Sequence, residues 1–288
     1  MAKNFISKSI FREYDIRGIV NETLFQNCAY LIGKGFCYLN QKKKIDTIAI
    51  CRDGRLSSPE ISEALIKGVL ESGVNVIDIG CGPTPMLYFS SFSLQVDAAI
   101  MVTGSHNPKN HNGFKIVLKN KSFYGKKIQK LYQCITKQKF QNGVGKLITK
   151  DIKDDYISDL LKRSGPFPNR KVIWDCGNGA TGEIISKVVK KIPGKHKVLF
   201  EEIDGNFPNH HPDPTIEKNL IYLKNSLLSV EDLKLQLKNS GFNNFKLWAN
   251  DVPKSKEVIK KIDESLNDEA SLLSSGKVIK TGYNKELD

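Results

Sequence analysis

Several things are scarce in this chain of 288 residues. No stretch approaches the ~18 uninterrupted apolar residues that a membrane-spanning helix needs, so no membrane segment is expected. Residues 1–9 hold no apolar signal core, and no secretory address is expected either. Gly (22) and Pro (11) are too few for a fibrous chain, and 40% hydrophobic residues are too many for a disordered one. None of the six Cys forms a Cys-x-x-Cys pair, and no Cys/His cluster has zinc spacing. Cys51 and Cys81 close apolar runs, which predicts buried, reduced thiols and a cytoplasmic protein. Arginine is rare as well, supplying six of the 44 basic side chains. Nucleic-acid readers lean on clustered Arg with interleaved aromatics; scattered Lys argues against that class and predicts no nucleic-acid partner.

The length fits about two domains at ~100–200 residues each. The net charge of +13 is unevenly placed: residues 1–225 carry 34 basic and 21 acidic side chains, whereas residues 226–288 carry ten of each. Two readings of the excess survive, and on charge alone the first is preferred. It is a solvated Lys-rich surface, or a positive field that draws in small anions such as phosphate esters.

Between residues 46 and 118 short apolar runs alternate with a helical pattern. Thr47-Ile-Ala-Ile-Cys51 reads as a buried strand. Ser57-Ser58-Pro59-Glu60 reads as a helix start, with Ser at the cap, Pro in the first turn and Glu placed for a capping box. Ile61, Ala64, Leu65, Gly68 and Val69 keep a helical period, and Gly73 stops it. Strands follow at 74–79 and 98–102. A second unit starts near Asp151, with a helix carrying Ile152, Tyr156, Leu160 and Leu161 on one face. A strand at 172–174 then runs into Gly177-Asn-Gly-Ala-Thr-Gly182, a helix over 183–191 and a strand over 198–203. This rhythm is α/β. Beyond residue 225, amphipathic helices are expected over 229–241 and 254–276.

The chemistry concentrates in Thr103-Gly-Ser-His-Asn-Pro108, directly after the apolar run 98–102. A strand that ends in a small polar loop puts side chains at the carboxyl edge of a sheet, where α/β folds bind ligands. Ser105 lies between Gly104 and His106, and Lys115 follows on the next strand. A hydroxyl near a Lys and a His suits phosphoryl transfer. A plain turn serine fits the same residues. Gly177-Asn-Gly-Ala-Thr-Gly182 could cradle a phosphate, but it matches neither the P-loop nor the dinucleotide fingerprint. A tight turn that lets helix and strand pack closely is the better reading.

Thr103-Gly-Ser-His-Asn-Pro108 with Asn112-Gly-Phe-Lys115 resembles the phosphoserine loop of the α-D-phosphohexomutases, the phosphomannomutase/phosphoglucomutase family. Four further segments agree in order: Phe11-Arg-Glu-Tyr-Asp-Ile-Arg-Gly18, Arg52-Asp-Gly-Arg-Leu-Ser-Ser-Pro59, Asp175-Cys-Gly-Asn-Gly179 and His210-His-Pro-Asp-Pro214. The resemblance implies a first domain over 1–148 with a mixed sheet sandwiched between helices. It also implies a partial second α/β domain over 149–225 and a divergent tail over 226–288. It implies a substrate too, a mannose or glucose 1- or 6-phosphate. Ser105 would carry the phosphoryl group, with Lys115 rather than His106 as its proton-transfer partner. Tyr14 and Arg17 would bind the phosphate side of the cleft, since the planar Arg fork pairs two phosphate oxygens. Mg²⁺ would meet Ser105 through its phosphate. On the residues alone the plainer readings are preferred: Arg17 as a surface ion pair, Lys115 as a solvated strand end and His210 as a loop filler.

The chain departs from the family pattern after Glu217-Lys-Asn-Leu220. An Asp-Gly-Asp-x-Asp-Arg loop, the family's source of Mg²⁺ ligands, does not occur in the 288 residues. Neither do the sugar-selecting Gly-Glu-x-Ser loop and the distal phosphate loop. Hard cations need several converging oxygens, and Asp251-Val-Pro-Lys-Ser-Lys256 offers one carboxylate. The expectation is a truncated mutase with little or no activity alone and an open edge on its second sheet. The alternative is a non-catalytic remnant that binds phosphosugar or phosphate weakly.

Overall fold

A computed structural model of the chain describes residues 6–227. The helices expected over 229–241 and 254–276 lie outside the described residues. The chain divides into two compact units, Met1–Asp213 and Pro214–Asp288.

In the first unit the chain runs through β1 (Ile16–Ile19), α1 (Gln26–Asn40), β2 (Thr47–Arg52), α2 (Ser58–Leu70), β3 (Asn75–Cys81), α3 (Thr84–Ser93), β4 (Ala98–Val102), β5 (His111–Leu118) and β6 (Lys121–Ser122). It continues through α4 (Lys126–Thr136), β7 (Leu147–Thr149), α5 (Lys153–Arg163), β8 (Arg170–Asp175), α6 (Gly182–Val189) and β9 (Gly194–Leu199). The described part of the second unit holds a 3₁₀ turn, Glu217–Leu220, and α7 (Ile221–Leu227), with a Lys224–Glu217 ion pair between them.

The main sheet has the order β1-β5-β4-β2-β3-β7, with β6 added to β5. β2 pairs in parallel with β3 and β4, and β7 in parallel with β3, while β5 runs antiparallel to β4 and β1. β4 and residues 48–51 of β2 are apolar because both their faces are covered. Ile48, Ile50, Ala98, Ile100 and Val102 face one core with α1, α2 and α4. Ala49, Cys51, Ala99 and Met101 face another that takes in α3, α5 and α6. Period-two alternation thus divides one continuous apolar run between two helical layers. Ile48, Ile50 and Ile100 are fully buried, worth about 1.5–3 kcal/mol each against exposure. The result is the expected α/β architecture, a mixed sheet between helices.

A separate two-stranded sheet pairs β8 with β9 in parallel, Trp174 opposite Val198. β9 lies four residues earlier than the 198–203 strand expected from the sequence, because Phe200 turns left-handed at φ +53° and closes it. Among the described residues β9 has no second strand partner. α2 starts at the expected place, but the capping box does not form: Ser57 makes no cap bond. Its hydroxyl and that of Ser58 accept from Asn112 Nδ2 at 3.0 and 2.9 Å, and Ser58 donates to Asp53 Oδ1 at 2.5 Å. Cross-strand partners have outcompeted the local cap. Cys51 is buried as expected, whereas Cys81 is partly exposed, and no Cys is disulfide-bonded. No helix of the described residues is long and apolar enough to cross a membrane.

Candidate active site

Parallel strands β2 and β4 end side by side, Arg52 opposite Val102. Their following loops, residues 53–57 and 103–110, therefore meet at the carboxyl edge of the sheet. Asp53 is the post between them. Its Oδ2 accepts from Thr103 Oγ1 (2.8 Å), the Gly104 amide (3.1 Å) and Arg55 Nε (3.1 Å). Its Oδ1 accepts from Ser58 Oγ (2.5 Å) and the Arg55 amide (3.1 Å).

Arg55 is buried, its side chain 1% exposed. Its Nη2 donates to the carbonyls of Ser105 and Asn107, both at 2.8 Å. Its Nη1 donates to those of Pro108 (2.6 Å) and His111 (3.2 Å). Burial lowers the pKa of this guanidinium, and Asp53 opposes the shift. Gly104 makes the arrangement possible: a Cβ there would stand 2.6 Å from the His111 carbonyl oxygen and overlap the Arg55 guanidinium.

On this frame Ser105 is exposed, with φ +55°, a left-handed conformation uncommon for a non-glycine residue. Its amide donates to Thr103 Oγ1 at 2.8 Å, extending the chain Asp53–Thr103–Ser105. Its Oγ lies 3.4 Å from His106 Nδ1. Asn107 closes the loop by donating from Nδ2 to the Gly104 carbonyl at 2.8 Å.

The cations stand on β1 and β5. Arg17 is opposite Gly113 across the β1–β5 pair, and Lys115 is opposite Met101 across β4–β5. Asp15 gathers both: Arg17 Nη2 and Lys115 Nζ reach its Oδ2 at 2.5 and 3.4 Å. Arg17 is thus an ion pair, but a largely buried one, with side-chain exposures of 14% and 10% for the two partners. Lys115 is held by Asp15 rather than by Ser105. Tyr14 is exposed and stacks on Tyr124, ring centroids 6.5 Å apart. His111, where the loop enters β5, has its pKa lowered first by burial and then by Arg55, Arg12 and Arg17. Arg55, Arg12 and Arg17 thus stand near this strand edge, with Asp53 and Asp15 paired against Arg55 and Arg17.

Asp15, Asp53 and Arg55 lie inside the two quoted motifs, and sequence reasoning alone misses their roles. The only signal available was their membership of those runs. The other motifs fill structural places. The Gly177 turn has left-handed Gly177 and Asn178; Asn178 bonds the Glu202 carbonyl and Asn209, and Gly182 backs onto the Glu201 carbonyl. Both ring nitrogens of His210 face oxygen acceptors, Asp175 at 3.1 Å and the His211 carbonyl at 2.9 Å.

The described residues do not fit a Mg²⁺ site. They contain no cluster of three or more His, Cys, Asp or Glu side chains able to hold a metal. Asp15 and Asp53 are already committed to cations and hydroxyls. Ser105, through a phosphate, is the one expected ligand that stands open.

A three-layer α/β/α domain with an exposed hydroxyl at its central strand edge is the class of protein that fold and site define. The chain belongs to the phosphoglucomutase/phosphomannomutase family, the α-D-phosphohexomutases. Residues 8–142 match the family's α/β/α domain I and residues 140–237 its α/β/α domain II. The chain is 42% identical over 217 residues to a phosphoglucomutase of Neisseria meningitidis, covering 75% of this chain and 47% of that protein. It is 41% identical over 212 residues to a phosphomannomutase/phosphoglucomutase of Pseudomonas aeruginosa, covering 74% and 46%. A crystal structure of a family protein from Burkholderia thailandensis superimposes with a TM-score of 0.74 at 40% identity, over 77% of this chain and 50% of that one. The chain thus spans about half the length of the relatives it matches.

Proposed function

We propose that this chain carries the phosphoryl-accepting half of a phosphohexomutase site, with Ser105 as the carrier and a mannose or glucose phosphate as the substrate. The observation that supports this best is the exposed, left-handed Ser105 on a loop whose backbone is tied down at every turn. A structural turn serine has no need of such a frame, whereas a nucleophile gains from fixed orientation.

In the forward half-step, Ser105 Oγ forms a bond to phosphorus as the bond from phosphorus to the sugar oxygen breaks. The serine proton leaves, and the sugar oxygen takes one up. Lys115 is the assigned proton-transfer partner, and His106 stands beside the hydroxyl at 3.4 Å. Arg17 pairs with the non-bridging phosphoryl oxygens, and Tyr14 lines the approach. In the return half-step, another sugar oxygen attacks the phosphoserine and the same bonds exchange in reverse.

Mg²⁺ belongs to this reading as the counter-charge to the phosphate on Ser105, but its carboxylate ligands are not supplied by the described residues. Without those ligands and without loops to hold the sugar's far phosphate, turnover by these 288 residues alone is expected to fall by orders of magnitude. The test has two parts. Turnover of glucose 1-phosphate is assayed with Mg²⁺ and glucose 1,6-bisphosphate present, and the intact mass of the chain is measured after the bisphosphate alone. Slow or absent turnover with one phosphoryl group on Ser105, lost in Ser105→Ala, supports the proposal. Turnover close to that of a full-length relative overturns the low-activity part. Hexose phosphate binding without phosphoserine favours the non-catalytic remnant.

A further inference from the structure

We infer that Phe207 is a positioning residue for Ser105, acting through Arg55; the inference deepens, and rests on, the reading of Ser105 as phosphoryl carrier. Arg55 has five N–H donors, and each is used: Nε on Asp53, Nη1 on Pro108 and His111, Nη2 on Ser105 and Asn107. No donor is left for a ligand, so Arg55 acts on the loop backbone and not on substrate. A single planar group thereby sets the carbonyls on both sides of His106.

Planarity makes the tilt of the guanidinium decisive, and the tilt is set from outside the first sheet. The Phe207 ring centroid lies 5.3 Å from Arg55 Cζ, within cation–π range. Phe207 itself has φ +53°, an outlying conformation for a bulky residue that persists only where surroundings over-determine it. Two contacts do so. The Phe207 amide donates to the Asp204 carbonyl at 3.0 Å. Gly205 sits so close to the 54–56 backbone that a Cβ would stand 2.5 Å from the Leu56 amide nitrogen and 2.8 Å from the Gly54 carbonyl oxygen. The 204–207 turn, from the segment matched to the family's second domain, is seated directly on the turn that bears the loop clamp. Left-handed residues stand at both ends of this relay, Ser105 and Phe207. Docking of the 204–207 turn is thus read out as the orientation of the Ser105 backbone.

The test uses the 288-residue chain with Phe207→Leu, which keeps apolar bulk but loses the π face, and Phe207→Tyr, which keeps both. Backbone hydrogen exchange is followed by mass spectrometry over residues 103–111. Phe207→Leu is expected to speed exchange there by about tenfold or more through local opening, leave the remaining sheet unchanged, and be rescued by Phe207→Tyr. Unchanged exchange over 103–111, or equal acceleration throughout the unit, overturns the inference. In parallel, Ser105 phosphorylation from glucose 1,6-bisphosphate is expected to lose maximal rate in Phe207→Leu at unaltered half-saturation. A wild-type chain that takes up no phosphate would sink the functional reading, while the exchange result still decides the coupling.

Discussion

The Thr103 hydroxyl donates to Asp53 Oδ2 at 2.8 Å, across the gap between two neighbouring strand ends. Thr103 Oγ1 in turn accepts from the Ser105 amide at 2.8 Å. One hydroxyl therefore transmits the position of the β2 turn to the serine.

Thr103→Val keeps the shape but removes both bonds. Leaving Asp53 and the Ser105 amide short of a partner is expected to cost about 1–3 kcal/mol. Thr103→Ser, which keeps the hydroxyl, is expected to cost less. Urea unfolding of both variants checks the order, and equal stability of Thr103→Val and wild type would remove Thr103 from the relay.

Asp15 serves two cations unequally. The Arg17 pair is 2.5 Å long and nearly buried, whereas Lys115 is 3.4 Å away and 30% exposed. Double-mutant cycles with Asp15→Asn should give a coupling of about 2 kcal/mol or more for Arg17→Met. Coupling should be under about 1 kcal/mol for Lys115→Met, because solvent screens the longer pair. A larger value for Lys115 would contradict the geometry.

His111 is held below the ordinary imidazole value by burial and then by Arg55, Arg12 and Arg17. The unfolded chain therefore binds this proton more readily than the folded one. The contribution of His111 is fully present above its unfolded pKa and declines as pH falls through the interval down to the folded pKa. Proton NMR should place its midpoint below the ordinary 6.5. His111→Gln should lessen the loss of stability on acidification, and a midpoint above the ordinary value would refute the assignment.

The thiols make a separate check on the two cores. Burial raises the pKa of Cys37 to about 12 and pushes Cys51 up further still. Cys28, Cys81, Cys134 and Cys176 are raised by the same cause. A thiol reagent near pH 8 should react slowly with the folded chain, Cys81 first because it alone is not fully buried. All six should react fast in denaturant. Rapid labelling of Cys37 or Cys51 in the native state would contradict the layered packing.

These features were legible from the sequence to different degrees, for identifiable reasons. β4 was readable to the residue, because five consecutive apolar side chains buried on both faces leave no other reading. α2 began where Ser-Pro-Glu announced it, yet the capping box was absent, since Asp53 and Asn112 are invisible to a local pattern. β9 was displaced because Lys195, His196 and Lys197 sit in the strand and hide it from an apolar criterion. Leu147, Ile148 and Thr149 are exposed, so nothing in their pattern announced that β7 joins the main sheet. In the site, Ser105 and its flanking residues stood out through loop chemistry. Asp15, Asp53 and Arg55 did not, because a charged residue in a motif looks the same whether it meets solvent or four buried carbonyls.

The most direct measurement is the mass of the peptide containing Ser105 after the chain is incubated with glucose 1,6-bisphosphate. Addition of a single phosphoryl group at Ser105, absent in Ser105→Ala and slowed in Arg55→Lys, is the expected result. An unmodified Ser105, or phosphate placed on another residue, would contradict the assignment of this strand-edge hydroxyl as the carrier.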